Sequence, residues 1–178
     1  MSDPGRGDDA EANETRRSIA TIGVYCFDAE TFVAALRAAG VTLLVDVRQR
    51  RGVRGPHFSW ANSQRLQALM AAHDISYSHH RELAPTTELR HLQYREDDLA
   101  GVGKRSREIL ATEYVRRYTE EILDSAPLER LLDELAEHDL GALLCVECAA
   151  AACHRSLISQ RLADRYGFSV RHLMPLDA

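Results

Sequence analysis

Three of the four cysteines lie within nine residues, in the run Cys145-Val-Glu147-Cys148-Ala-Ala-Ala-Ala-Cys153-His154-Arg155-Ser156. A helix is expected to begin near Arg155 or Ser156. That places Cys153 at its N-terminus, beside an imidazole and a guanidinium. The helix dipole and both neighbours favour a thiolate there, so Cys153 is the expected nucleophile, with His154 or Glu147 to move protons. Cys145 and Glu147 stand two apart on a strand and share a face, which brings Cys145 to the same place. A competing arrangement is a zinc or iron site built from Cys145, Cys148, Cys153 and His154. Its Cys-x2-Cys-x4-Cys-His spacing is uncommon for zinc, and a continuous strand would turn Cys145 and Cys148 to opposite faces. A phosphatase-type loop needs five residues between cysteine and arginine, whereas Cys148 reaches Arg155 across six. The plain reading of Cys145 and Cys148 is that they are small buried apolar residues.

A second reactive stretch is Asp46-Val-Arg48, followed by Gln-Arg-Arg-Gly-Val-Arg-Gly-Pro-His57. Asp46 ends an apolar run, where an unpaired carboxylate is costly. It is expected to pair with Arg48 or Arg54, or to orient a ligand hydroxyl or ring nitrogen. The arginines 48, 50, 51 and 54 surround two glycines, a composition that can fold amides and guanidinium groups around an anion. The plain alternative is a solvated loop with one structural Asp–Arg pair. His79 shares a strand face with Ile75 and Tyr77, and serves either as a site residue or as a hydrogen-bonded structural histidine. The catalytic candidates are therefore Cys153, His154, Glu147 and Asp46. Arg48, Arg54, Arg155, His79 and Cys145 are the substrate-binding candidates.

The elements that must position these residues alternate between strand and helix. Ser18–Val24 reads as a short strand. Asp28 caps a helix with Phe32, Val33, Leu36 and Ala39 on one face, and Gly40 ends it. Val41–Val47 is an apolar run of the kind buried on both faces of a parallel sheet. Ser59 is expected to cap a helix carrying Leu66, Leu69 and Met70, and Ile75–His79 to form a half-buried strand. Residues Ala84–Lys104 are polar and show no clear period, so they read as a long loop or lid insertion. Helix returns from about Arg107 to Leu123, and again after Pro127 to about His138. Gly141–Cys148 is the second buried strand, residues 155–166 a helix, and Phe168–Leu173 a last strand. The alternation predicts a single α/β domain over 18–178, with a mostly parallel sheet of about five strands and helices on both faces. In such sheets ligands bind beyond the carboxyl ends of the strands, where both reactive stretches fall.

The 178 residues suit one domain with a sizeable core, and 45% of them are hydrophobic. The net charge of −5 excludes a uniformly basic polyanion binder and leaves only a local basic patch for nucleic acid. Residues 1–17 are polar and read as a disordered leader with no signal sequence. No run approaches the ~20 apolar residues of a membrane span. A cytoplasmic protein with its thiols free is expected.

At these same residues the sequence resembles the DUF488 family. The resemblance is carried by four segments: Thr21-Ile-Gly23 with Ala29–Gly40; Val45-Asp-Val-Arg48 with Arg54, Pro56 and Phe58; Tyr77–Leu83; and Leu144-Cys-Val-Glu147 with Cys153-His-Arg-Ser156. It implies a compact α/β fold and a shared pocket of Asp46, Arg48, Cys145, Glu147, Cys153, His154 and Arg155. It brings no reaction with it. The chain departs from the family pattern after Gly23, where it has Val-Tyr-Cys, at Cys148, which is additional, and at Ala84-Pro85, where a glycine is usual.

Together these features predict an enzyme acting on a small anionic or nucleotide-like ligand, with a thiol-dependent hydrolase or transferase as the reaction type. No cofactor is needed unless the zinc or iron arrangement forms. One alternative is a nucleic-acid-binding or repair-associated module, using Arg48–Arg54 for phosphates and His57, Phe58 and Trp60 for base stacking. The other is a non-catalytic ligand- or metal-binding domain.

Overall fold

A computed structural model describes residues 17–176. The leader expected over 1–17 lies outside the described residues apart from Arg17. Five strands, β1 (Ser18–Gly23), β2 (Leu43–Asp46), β3 (Ser76–His79), β4 (Gly141–Cys145) and β5 (Ser169–His172), form one sheet in the order β3-β2-β4-β1-β5. Every pairing is parallel. The helices are α1 (Ala29–Ala39), α2 (Ser63–Ala71), α3 (Thr87–Ala100), α4 (Thr112–Tyr118), α5 (Leu128–Ala136) and α6 (His154–Tyr166). None of the described helices is long and apolar enough to cross a membrane.

The strand order dictates which face each helix covers. From β1 through β2 to β3 the chain steps one way along the sheet; after β3 it steps back to β4 and on to β5. Parallel crossovers are right-handed, so the reversal moves the later helices to the opposite face. The packing follows. Phe32, Val33 and Leu36 of α1, with Leu66 and Met70 of α2, bury Ala20, Ile22, Leu44 and Leu144. Leu89, Tyr118, Leu131, Ile158 and Leu162 from α3–α6 bury Ile19, Val45, Leu143 and Cys145 on the other side. A fully buried side chain such as Phe32 contributes roughly 1.5–3 kcal/mol relative to exposure.

The helix signals hold at α1. Asp28 Oδ1 accepts the Thr31 amide at 2.8 Å, Thr31 Oγ1 accepts the Asp28 amide at 3.1 Å, and Gly40 ends the helix at φ +78. Three expectations are corrected. Ser59 does not cap a helix: Pro56–Ala61 forms a 3-10 stretch, and α2 starts after Asn62. The helix expected from Arg107 begins only at Thr112, because Arg107 lies in an irregular segment, and it closes as a π-turn over Thr119–Leu123. The segment Ala84–Lys104 is no structureless insertion: it contains the fourteen-residue α3, capped by Thr86.

The thiols are not all free, because Cys26 and Cys148 form a disulfide with Cα atoms 5.2 Å apart. The reason lies in strand register. Gly23 pairs with Cys145 at the ends of β1 and β4, and the Tyr25 amide still bonds the Val146 carbonyl at 2.9 Å. Residues three places beyond each strand end are therefore brought together. In the chain-entropy account, a bridge across so long a loop contributes about 4–5 kcal/mol.

Candidate functional site

The β2–β4 register pairs Asp46 with Leu144, so Cys145 stands opposite residue 47. Side chains alternate along a strand. Asp46 consequently points to the α1/α2 face, and Cys145 to the α3–α6 face. The second face opens into a cavity, of about 410 Å³, beyond the carboxyl ends of β2 and β4.

Its floor is a cluster of buried groups. Cys153 caps α6 and lies 1% exposed, without spending its sulfur on a cap hydrogen bond. The Cys145 and Cys153 sulfurs each lie 3.8 Å from His154 Nδ1, and these three atoms all fall within 4.8 Å of one another. His154 Nε2 is 2.9 Å from the Val47 carbonyl, which can only accept. That nitrogen therefore carries a hydrogen, and Nδ1 is left to face the thiols. The one hydrogen of the Cys145 thiol can go to Glu147 Oε2, at 3.4 Å, or to the Cys153 sulfur.

The electrostatics separate the two thiols. Burial pushes Cys153 up, but the hydrogen bond from Cys145 and the charges of His154 and Arg155 more than offset it, and its pKa ends well below the ordinary thiol value. Burial alone lowers His154, while the Cys153 thiolate and its hydrogen bond raise it to a net upward shift. Both shifts run toward a thiolate on Cys153 and a proton on His154. Cys145 is raised well above the ordinary value by burial, then by the bond to Cys153 and its charge, so it keeps its proton. Glu147 is also raised, first by burial and then by Cys153.

The walls of the cavity are basic. Arg48, Arg50, Arg54, Arg90, Lys104 and Arg107 all line it. Arg107 is buried between Asp97 at 2.6 Å and Glu147 at 3.0 Å, and Lys104 stands 4.0 Å from Glu147. Arg90 bonds only neutral groups, Gln49 at 2.7 Å and Tyr94 at 3.0 Å. Among the described residues, Arg50, Arg54 and Arg90 have no carboxylate partner.

The residues expected to form the site divide accordingly. Cys153, His154, Glu147, Cys145, Arg48 and Arg54 all line the cavity; Asp46, His79 and Arg155 do not. Both Asp46 oxygens are occupied: Oδ1 accepts Arg48 Nε at 2.8 Å, and Oδ2 accepts Arg48 Nη2 at 2.7 Å and the Tyr77 hydroxyl at 2.6 Å. His79 donates to the Arg48 carbonyl at 2.9 Å. Arg155 is 1% exposed and donates to the carbonyls of Glu147 (2.7 Å) and Cys148 (2.8 Å), so it anchors the loop beneath the cavity. Gly23 lets that loop pass, since a Cβ there would collide with the Glu147 carbonyl oxygen and sit 3.2 Å from Arg155 Nη1. The four-ligand metal set cannot form as drawn, because Cys148 is bonded to Cys26. Of the three rings expected to stack on bases, His57 is exposed, Phe58 is buried, and Trp60 is half-buried against Phe32 with ring centroids 4.8 Å apart.

Sequence reasoning missed the far wall. Arg90, Gln93, Tyr94 and Asp97 of α3 recur at helical spacing, and Arg90, Gln93 and Tyr94 face the cavity while Asp97 holds Arg107. Gln93 also accepts the Ala111 amide at 2.9 Å. The signal was a polar stripe at period 3.6 where an apolar one was sought.

Residues 28–162 match the model of a family described as a domain of unknown function, DUF488. No curated protein and no solved structure matches the chain.

Proposed function

The chain belongs to the DUF488 family, and we propose that it is a thiol-dependent enzyme acting on a small anionic or nucleotide-like substrate. The observation that carries this reading is the Cys153–His154 pair at the floor of a cavity whose wall holds three guanidinium groups without carboxylate partners. Arg50, Arg54 and Arg90 hold the anion. Cys153 attacks an electrophilic centre of the bound substrate, and His154, protonated on Nδ1, gives its proton to the leaving group. Arg107 is fixed on the wall by Asp97 and Glu147, which offset its charge and leave the anion to the three unpaired guanidinium groups.

The test follows ultraviolet thiolate absorbance with pH, in the intact chain and in Cys153→Ser. The expected result is a thiolate that forms below the ordinary thiol range and is lost in the variant. Inorganic phosphate should also slow alkylation of Cys153, less so in Arg54→Ala. Titration of both free thiols in the ordinary range overturns the reading. So does stoichiometric zinc or iron in native mass spectra, shielding Cys145 and Cys153.

A further inference from the structure

The cavity floor contains a second thiol for which nucleophilic attack by Cys153 has no use. Cys145 is free, buried and lines the same cavity, and its sulfur shares His154 Nδ1 with that of Cys153. The sulfurs lie within 4.8 Å of each other, so a bond between them requires them to close that gap by side-chain rotation and movement of the cap. Cys145 also has a proton acceptor of its own, since its sulfur can donate to Glu147 Oε2 at 3.4 Å while Arg107 holds Oε1 at 3.0 Å. A positioned base, a free thiol and a neighbouring activated sulfur are the parts of a resolving cysteine.

We propose that Cys145 and Cys153 form a two-electron dithiol couple that reduces a hydroperoxide bound in the basic cavity, Cys153 attacking and Cys145 resolving. The proposal rests on the thiolate reading above and deepens it by naming the substrate class. The Cys153 thiolate attacks the terminal oxygen of R–O–OH, and the sulfur–oxygen bond forms as the oxygen–oxygen bond breaks. The leaving R–O⁻ takes the proton of His154, giving Cys153 sulfenic acid and R–OH. Glu147 then takes the Cys145 proton, Cys145 attacks the Cys153 sulfur, and hydroxide leaves with that proton as water. The sum is two thiols and one hydroperoxide converted to one disulfide, one alcohol and one water. An external dithiol returns the couple to its reduced form.

The cations have a role in each step. Lys104 and Arg107 stand on the wall beside Glu147, where negative charge develops on departing oxygen. The neighbouring Cys26–Cys148 bridge takes those two sulfurs out of the exchange, so the couple is confined to one pair.

The experiment treats the full chain with substoichiometric hydrogen peroxide and maps its peptides without reduction, with dimedone present to trap sulfenic acid. The expected product is a Cys145–Cys153 cross-link that grows in step with added peroxide, is reversed by dithiothreitol and leaves Cys26–Cys148 unchanged. Cys145→Ser and Cys145→Ala should both lose the cross-link and accumulate the dimedone adduct on Cys153; the wild-type map needs neither variant to fold. Sulfenic or sulfinic acid on wild-type Cys153 with no cross-link overturns the resolving role but leaves the activated thiolate standing. Oxidation of Cys153 no faster than an ordinary cysteine overturns both. A cross-link from Cys153 to Cys26 or Cys148 also overturns the assignment.

Discussion

Two clusters of polar and titratable side chains sit one residue apart at the ends of the neighbouring strands β2 and β4, and they use their surroundings in opposite ways. On the α1/α2 face, Asp46, Arg48 and Tyr77 close on one another: Asp46 accepts four hydrogen bonds, counting the Arg48 amide at 3.1 Å. Arg48 spends its remaining nitrogen on the Ala61 carbonyl at 2.9 Å. Both Asp46 oxygens and all three Arg48 nitrogens are thus engaged, although Arg48 also borders the cavity. On the α3–α6 face, two sulfurs compete for one imidazole nitrogen, and the cluster borders a cavity. A buried charge satisfied on all sides is architecture; one left incompletely satisfied beside an opening is available for chemistry.

That contrast breaks if the clusters prove interdependent, and Asp46→Ala tests it most severely. It leaves the Arg48 guanidinium buried and unpaired, and the expected loss is about 3–5 kcal/mol in denaturant unfolding. The thiolate absorbance step of Cys153 should stay at the same pH. Gly23→Ala is the mirror experiment, because the new methyl strikes the Glu147 carbonyl beneath the open cluster. We expect about 1–3 kcal/mol of destabilisation together with a displaced Cys153 titration. Tyr77→Phe removes one hydrogen bond from the closed cluster and should cost about 1 kcal/mol, with Cys153 reactivity unaltered.

The smallest effect sharpens the comparison from the chemical side. Reactivity of Cys153 with a neutral alkylating agent should rise with pH through its depressed pKa, since thiolate is the reactive form. Proton donation by His154 should fail as pH climbs through its raised pKa, giving turnover a plateau between the two. Glu147→Gln removes an anion that disfavours thiolates nearby, so the acid limb should move to lower pH by a fraction of a unit. A shift to higher pH would assign Glu147 a different part in the cluster.

Much of this was legible in the residues. Asp28 and Gly40 bounded α1, the apolar runs located β2 and β4, and Cys153 was placed correctly before a helix. What escaped detection depended on register. Asp46 and Cys145 both end buried strands, yet only their pairing, Asp46 with Leu144, shows that they face apart. Cys26 and Cys148 meet because β1 and β4 end in step, a fact no local pattern encodes. Helix α3 hid because its inward residues are polar: apolar period and helical period coincide only where the neighbour is a core, and here the neighbour is a cavity.

The composition of α3 also sets where the molecule yields first. The floor of the cavity is part of the sheet and is surrounded by aliphatic packing. Beyond Leu89 and Leu92, which sit in the core, the far wall is held by bonds between polar groups, Gln93 to the Ala111 amide and Asp97 to Arg107, which water can replace one for one as they part. Local opening should therefore begin at α3 and the segment after it, and amide hydrogens there should exchange well before those of β2 and β4. On the proposed reading, the wall that would select the ligand is then also the door by which it would enter, while the two sulfurs stay on ground that does not move.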